Sequence, residues 1–153
     1  MLNESDVAKI QDNIIIAGDL LARSVSVHNN SGFPQIDAEI VTKEEGEQIK
    51  QALLDVLSRH SNTEITNGVI WALRKGYDPS YKDLYLKHLK ESLEMLMVYN
   101  SIMCQSLLAL GDIDPDVFEW DLDGTTTQGM MDVDKNIRQA RKYLRKHNIV
   151  VPW

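Results

Sequence analysis

Six carboxylates fall within thirteen residues in DIDPDVFEWDLDG, residues 112–124, with a Trp, a Phe and no cation among them. Oxygen ligands this dense suggest calcium, a catalytic carboxylate pair, or an acidic patch for another protein. A helix-loop-helix calcium site needs oxygens at loop positions 1, 3 and 5, Gly at 6 and a bidentate Glu at 12. Counting from Glu119 supplies Asp121, Asp123 and Gly124, but Met130 stands at the twelfth place and cannot ligate. Counting from Asp112 supplies Asp114 and Asp116, but Val117 takes the place of the Gly. Both registers fail. Acid-base work by a carboxylate pair needs a pocket that raises one pKa. Six acids beside the TTTQG run read instead as solvated, and Asp114 before Pro115 has the residue type of a helix cap. Two readings then stand: a solvated acidic edge, and a partner-binding patch of Asp112, Asp114, Asp116, Glu119, Trp120, Asp121 and Asp123. Phe118 and Trp120 among the acids favour the second, because aromatic anchors ringed by charge are the residue types of binding hot spots.

Other groups that could do chemistry are scattered. His28, His60, His88 and His147 have no Cys or Asp at metal-ligand spacing, so no metal and no cofactor is expected. Arg23 to His28 and Arg141 to His147 have the spacing of all-α HEPN-type RNases. That family has Asn, Asp or His directly after the Arg, where Ser24 and Lys142 stand here. With six Arg and four His in a helical chain, such spacings arise by chance. The single Cys104 excludes an intrachain disulfide and fits a reducing compartment, and the start MLNESDVAKI lacks the layout of a signal peptide. A cytoplasmic protein is expected.

The elements that must carry these residues read as helices. Val7, Ile10, Ile14, Ala17, Leu21 and Val25 recur at spacings of three and four. Gly and Pro in NNSGFPQ break that run. Thr42 followed by Glu45 is a capping box before a second helix with Ile49, Leu53, Val56 and Leu57 on one face. Thr63 can cap a third helix, ended by Gly76; Asp78-Pro79 opens a fourth; a further apolar run ends at Gly111; DVDKNIRQARKYLRKH is the last. No segment alternates with period two, so the fold class is all-α. A chain of 153 residues is about one domain.

The starts repeat. Thr42-Lys43, Asp78-Pro79 and Asp114-Pro115 are spaced 36 residues apart. At the same step, small residues recur at Gly68, Cys104 and Ala140, and large ones at Trp71, Leu107 and Tyr143. A third set is Ala72, Leu108 and Leu144. Small residues let helices approach and large ones fill the groove between them. NGVIWALRKGYDPSYKDLYLKHL and MCQSLLALGDIDPDVFEWDL resemble HEAT-type helical repeats. The resemblance implies a right-handed stack of helix pairs, a HEAT/armadillo-like α-solenoid forming one compact domain over 1–153. Residues 1–40 would be an N-terminal helix and loop, and 42–147 three repeats of about 36 residues.

Charge adds a partner class. Residues 1–134 hold all 23 acids and 10 of the 16 bases, a net of −13, and residues 135–153 hold six bases and no acid. Such a charge either serves solubility alone or, as a field, disfavours nucleic acid and attracts a basic protein. Short acidic HEAT-like chains resemble bacterial immunity proteins, which neutralise toxin domains of contact-dependent inhibition and other polymorphic toxin systems. That resemblance implies no enzyme activity. It implies a protein that masks the active site of a cognate basic toxin, nuclease-type, without a nucleic-acid or membrane partner of its own. The alternatives are a generic helical-repeat adaptor and a HEPN-like RNase.

Overall fold

The computed structural model describes residues 2–29, 41–94, 100–114 and 133–151. Among them are six α-helices, one 3-10 turn and no strand. The helices are α1 (Glu4–Asn29), α2 (Lys43–Arg59), α3 (Thr63–Lys75), α4 (Lys82–Glu94), α5 (Asn100–Ile113) and α6 (Val133–Lys146), with the 3-10 turn at Pro79–Tyr81. No helix among the described residues is long and apolar enough to cross a membrane. The contacts group into two units, Met1–Asp78 and Pro79–Trp153.

In the first unit α1 packs most extensively on α3, and α2 packs on both. Helix α1 starts where Asn3 Oδ1 accepts from the Asp6 amide at 2.8 Å while the Asp6 carboxylate accepts from the Asn3 amide at 3.4 Å. This reciprocal pair quiets two amides that the first turn leaves without partners. Val7, Ile14 and Leu21 are buried, one every two turns, as their spacing requires. The close approach of α1 and α3 rests on two glycines. A β-carbon on Gly18 would lie 2.5 Å from Cζ3 of Trp71, and one on Gly68 would lie 3.4 Å from Ile14 Cγ2. Ile65, Val69, Ile70, Ala72 and Leu73 bury the inner face of α3.

The capping box of α2 is present in full. Thr42 Oγ1 accepts from the Glu45 amide at 3.1 Å and the Glu45 carboxylate accepts from the Thr42 amide at 3.2 Å. Its buried stripe differs from the expected one: Gly46, Lys50 and Leu53 face inward, while Ile49, Val56 and Leu57 are half-exposed. Helix α3 is capped by Asn62, one residue before the expected Thr63. Asn62 Oδ1 accepts from the amides of Glu64 at 2.9 Å and Ile65 at 3.1 Å, so one acceptor satisfies two first-turn amides. Gly76 ends α3 in a right-handed conformation (φ −82°), and the left-handed residue is Tyr77 (φ 39°).

In the second unit α4 packs chiefly on α5, and α6 packs on both. Tyr85, Leu89, Leu93, Met103, Leu107, Leu110, Tyr143 and Leu144 are almost fully buried. Gly111 does not stop α5; the helix runs to Ile113, and the Asp114 amide still donates to the Leu110 carbonyl at 2.7 Å. A Gly inside a helix weakens it by only about 1 kcal/mol, which neighbouring packing outweighs. Asn148 (φ 59°) ends α6, with the Ile149 amide donating back to Leu144 O at 2.9 Å. Asn is among the few residues that take this conformation readily.

Candidate functional site

The acidic stretch is described only at its root. Asp112 is exposed in the last turn of α5. Asp116, Glu119, Trp120, Asp121 and Asp123, with Phe118 and Gly124, lie outside the described residues. Asp114 is engaged within its own unit: its Oδ2 accepts a 2.9 Å hydrogen bond from the buried Tyr143 hydroxyl and lies 3.6 Å from Lys82 Nζ. The carboxylate so joins the end of α5 to α6 and to the first residue of α4. The other matched positions also sit at helix contacts. Gly68 meets Ile14 of α1, Cys104 accepts a hydrogen bond from Asn136 of α6 at 3.2 Å, and Ala140 is fully buried.

A second polar constellation was not foreseen. Lys50 is only 9 % exposed, and its ammonium lies 3.1 Å from both Glu47 Oε1 and Asp78 Oδ2. It stands at the edge of a cavity of about 310 Å³ lined by Ser24, Lys43, Gly46, Gly76 and Tyr77. Burial alone would depress the Lys50 pKa, but hydrogen bonds to Asp78 and Glu47 and their charges outweigh it and hold the pKa above its ordinary value. Lys50 is therefore held in its charged form. Gly76 leaves room for the Lys50 stem, since a β-carbon there would sit 3.3 Å from Lys50 Cε, while Gly46 leaves room for α1, since a β-carbon there would sit 3.3 Å from Ser24 Oγ. The sequence did hold a signal, since Gly46, Lys50, Leu53 and Leu57 follow at spacings of four, three and four, which places the Lys on the inward stripe.

A third feature is apolar. Ile10, Ile14 and Leu20 of α1 and Ile49, Leu53 and Val56 of α2 line a groove of about 310 Å³. Ile16, also on its wall, is 57 % exposed, and Ile15 is 50 % exposed. Three consecutive isoleucines, 14 to 16, cannot all face inward, because successive helix residues turn by about 100°.

Burial pushes the Cys104 thiol pKa up, which disfavours the nucleophilic thiolate. Burial also lowers the His88 pKa, against the pull of Glu91, whose Oε2 lies 3.6 Å from Nδ1. His147 stacks on Tyr143 with ring centroids 4.3 Å apart, its Nδ1 3.0 Å from the Tyr143 carbonyl oxygen. Arg141, six residues earlier, leaves α6 about 120° around the helix from the direction of position 147. The His28 side chain lies outside the described ones. Among the described residues no group of three or more His, Cys, Asp or Glu is placed to hold a metal. Trp71, half-buried, covers Gly18 and carries Lys75 Nζ 5.3 Å from its ring centroid. The Asn67 amide oxygen is buried without a hydrogen-bond partner.

No model of a known protein family matches the chain, and neither a characterised protein nor a solved structure matches it.

Proposed function

We propose that this chain is a non-enzymatic binding protein of the immunity type. It occludes the active site of a cognate basic toxin domain, nuclease-type, with a pre-formed acidic surface in the cytoplasm. The observation that carries the reading is the charge pattern: all 23 acids precede residue 135, and six of them fall in residues 112–124, where α5 ends. A fixed negative field raises the rate of encounter with a basic partner and discourages nucleic acid. The right-handed HEAT-like stack belongs to the same proposal. It is supported by the pairing of α4 with α5 in the second unit, whereas in the first unit α3 packs chiefly on α1 and less on α2.

The partner-binding patch of this reading is Asp112, Asp114, Asp116, Glu119, Trp120, Asp121 and Asp123. The test is titration of the purified protein into a basic nuclease toxin domain encoded beside it, with nuclease activity as readout. Inhibition at low salt, weakened at least about tenfold when Asp116, Glu119, Asp121 and Asp123 are all changed to Lys, supports the reading. Inhibition should also weaken as ionic strength passes about 0.1 M, where the Debye length is about 10 Å. A quadruple variant that inhibits like wild type removes the acidic stretch from the interface. A wild-type protein that forms no complex at low salt removes the reading itself.

A further inference from the structure

The cavity beside Lys50 holds more hydrogen-bonding capacity than the fold uses. Ser24 and Val25 of α1, Lys43, Glu47 and Lys50 of α2, and Tyr77 beyond α3 stand around it. Its volume of about 310 Å³ is at the low end of small-molecule sites. An ammonium has three donors. Two of those on Lys50 reach Glu47 Oε1 and Asp78 Oδ2, each at 3.1 Å. The third finds no acceptor among the described residues, although Lys50 is only 9 % exposed. So deeply buried a donor without an acceptor is costly and rare in a native fold. Glu47 is engaged through one oxygen, and its Oε2 accepts from no described residue. Lys43, exposed at the rim, makes no ion pair with a described residue.

Tyr77 gives a second, independent sign. Its φ of 39° is a conformation that a bulky residue rarely takes, and Gly76 beside it, which could take it freely, has φ −82°. The Tyr77 side chain is 51 % exposed and borders the cavity. Backbone strain of this kind gathers where a side chain is held against a ligand.

The charges select the ligand. Lys43, Lys50, Glu47 and Asp78 sum to zero. A lone anion or a lone cation would leave the site charged, and taking a net charge out of water is costly. A ligand that carries both signs avoids this. The unused donor of Lys50 and the unused oxygen of Glu47 belong to groups 3.1 Å apart. In an α-amino acid the ammonium nitrogen and the nearer carboxylate oxygen are held about 3 Å apart by the three bonds between them. Laid head to tail, each charge of one pair meets the opposite charge of the other. Val25 and the Tyr77 ring then leave an apolar wall for the ligand's side chain.

We propose that this cavity binds a free α-amino acid with an apolar side chain, its carboxylate on Lys50 and Lys43, its ammonium on Glu47, and its side chain against Val25 and Tyr77. Titration calorimetry of the full chain at low salt with L-valine, L-leucine, L-methionine and L-phenylalanine tests it. At least one of the four is expected to bind with a dissociation constant below about 1 mM and to raise the thermal midpoint. The N-acetyl derivative of that amino acid lacks the ammonium, and its amide lacks the carboxylate. Each is expected to bind at least about tenfold more weakly. Glu47→Gln, which removes the charge opposite the ammonium, is expected to weaken binding at least about tenfold. Tyr77→Gly removes the wall and relieves the backbone. It is expected to bind at least about tenfold more weakly, with a ligand-free thermal midpoint no lower than wild type. No binding by any of the four up to about 10 mM, a derivative that binds as tightly as its amino acid, or a Glu47→Gln or Tyr77→Gly variant that binds like wild type overturns the proposal.

Discussion

The indole of Trp71 occupies the space that a side chain at position 18 would need: a β-carbon on Gly18 would stand 2.5 Å from Cζ3 and 3.1 Å from Cη2. Two opposing effects meet there. Alanine improves a helix by about 1 kcal/mol over glycine, while overpacking costs about 1–3 kcal/mol. The contact lies below any ordinary carbon-carbon separation, so the second effect wins. Gly18→Ala is expected to lower stability by about 1–2 kcal/mol in denaturant unfolding. In a Trp71→Leu background the same change should become neutral or stabilising, a sign reversal that a double-mutant cycle would reveal. Equal effects in both backgrounds would mean that the indole does not set the spacing of α1 and α3.

Lys50 joins α2 to the residues that follow α3. Lys50→Met keeps the stem and removes the ammonium, and hydrogen bonds to charged groups contribute about 1.5–3 kcal/mol each way they are lost. A loss in that range is expected at neutral pH. The sign with pH follows from the raised pKa. The folded state holds the proton more tightly than the unfolded chain, so the stabilisation is complete below about 10.5 and declines as pH rises through the folded value. Urea midpoints of wild type and variant should therefore converge at strongly alkaline pH. A gap that stays constant or widens there would contradict the ion-pair account.

His88 behaves in the opposite sense. Burial lowers its pKa below the ordinary 6.5, with Glu91 pulling the other way and Lys87 assisting. The unfolded chain then takes up a proton at a higher pH than the folded one. Stability from this group is complete above about 6.5 and falls as pH drops toward the lower folded value. His88→Asn should flatten the stability profile as pH falls below about 6.5, measured by thermal midpoints. An unchanged slope would show that His88 is not the titrating group.

Tyr143→Phe removes the hydroxyl that donates to Asp114 and leaves the ring buried. A loss of about 1–2 kcal/mol is expected, because the acceptor is a carboxylate that keeps Lys82 as a partner. Asp114→Asn, which keeps an acceptor oxygen but loses the charge, should cost less than Asp114→Ala. If all three variants unfold at the wild-type denaturant midpoint, the tie between α5 and α6 carries no stability.

Local signals were legible in the sequence, and distant ones were not. The capping box at Thr42 and Glu45 and the three-and-four spacing of α1 follow from residue types within a turn or two, while of the large residues matched at the 36-residue step Leu107 and Tyr143 are buried and Trp71 is half-exposed, and of the third set Ala72 and Leu144 are buried and Leu108 is half-exposed. The end of α3 was placed rightly at Gly76, but for a different reason. A positive φ was not needed there; room for Lys50 was, and Lys50 lies on another helix. Asp114 has the residue type of a helix cap for residues that lie outside the described ones, and its carboxylate also accepts from a tyrosine 29 residues away, a pairing that no spacing rule announces. Of the seven residues assigned to the acidic patch, only Asp112 and Asp114 lie among the described ones.

The buried Lys50 also decides how α2 is turned about its own axis. An apolar stripe through Ile49, Leu53 and Val56 would sink more hydrocarbon if the helix rolled by a fraction of a turn, and each such side chain gains about 1.5–3 kcal/mol when fully covered. The roll is blocked because it would carry the ammonium away from Asp78 and leave that carboxylate without it. One charged residue thus acts as a rotational index for the whole helix, holding Ile49 and Val56 at the mouth of the groove. Lys50 and Leu53 lie on the same inward stripe, so one rotation of α2 sets both the ion pair with Asp78 and the wall of the apolar groove.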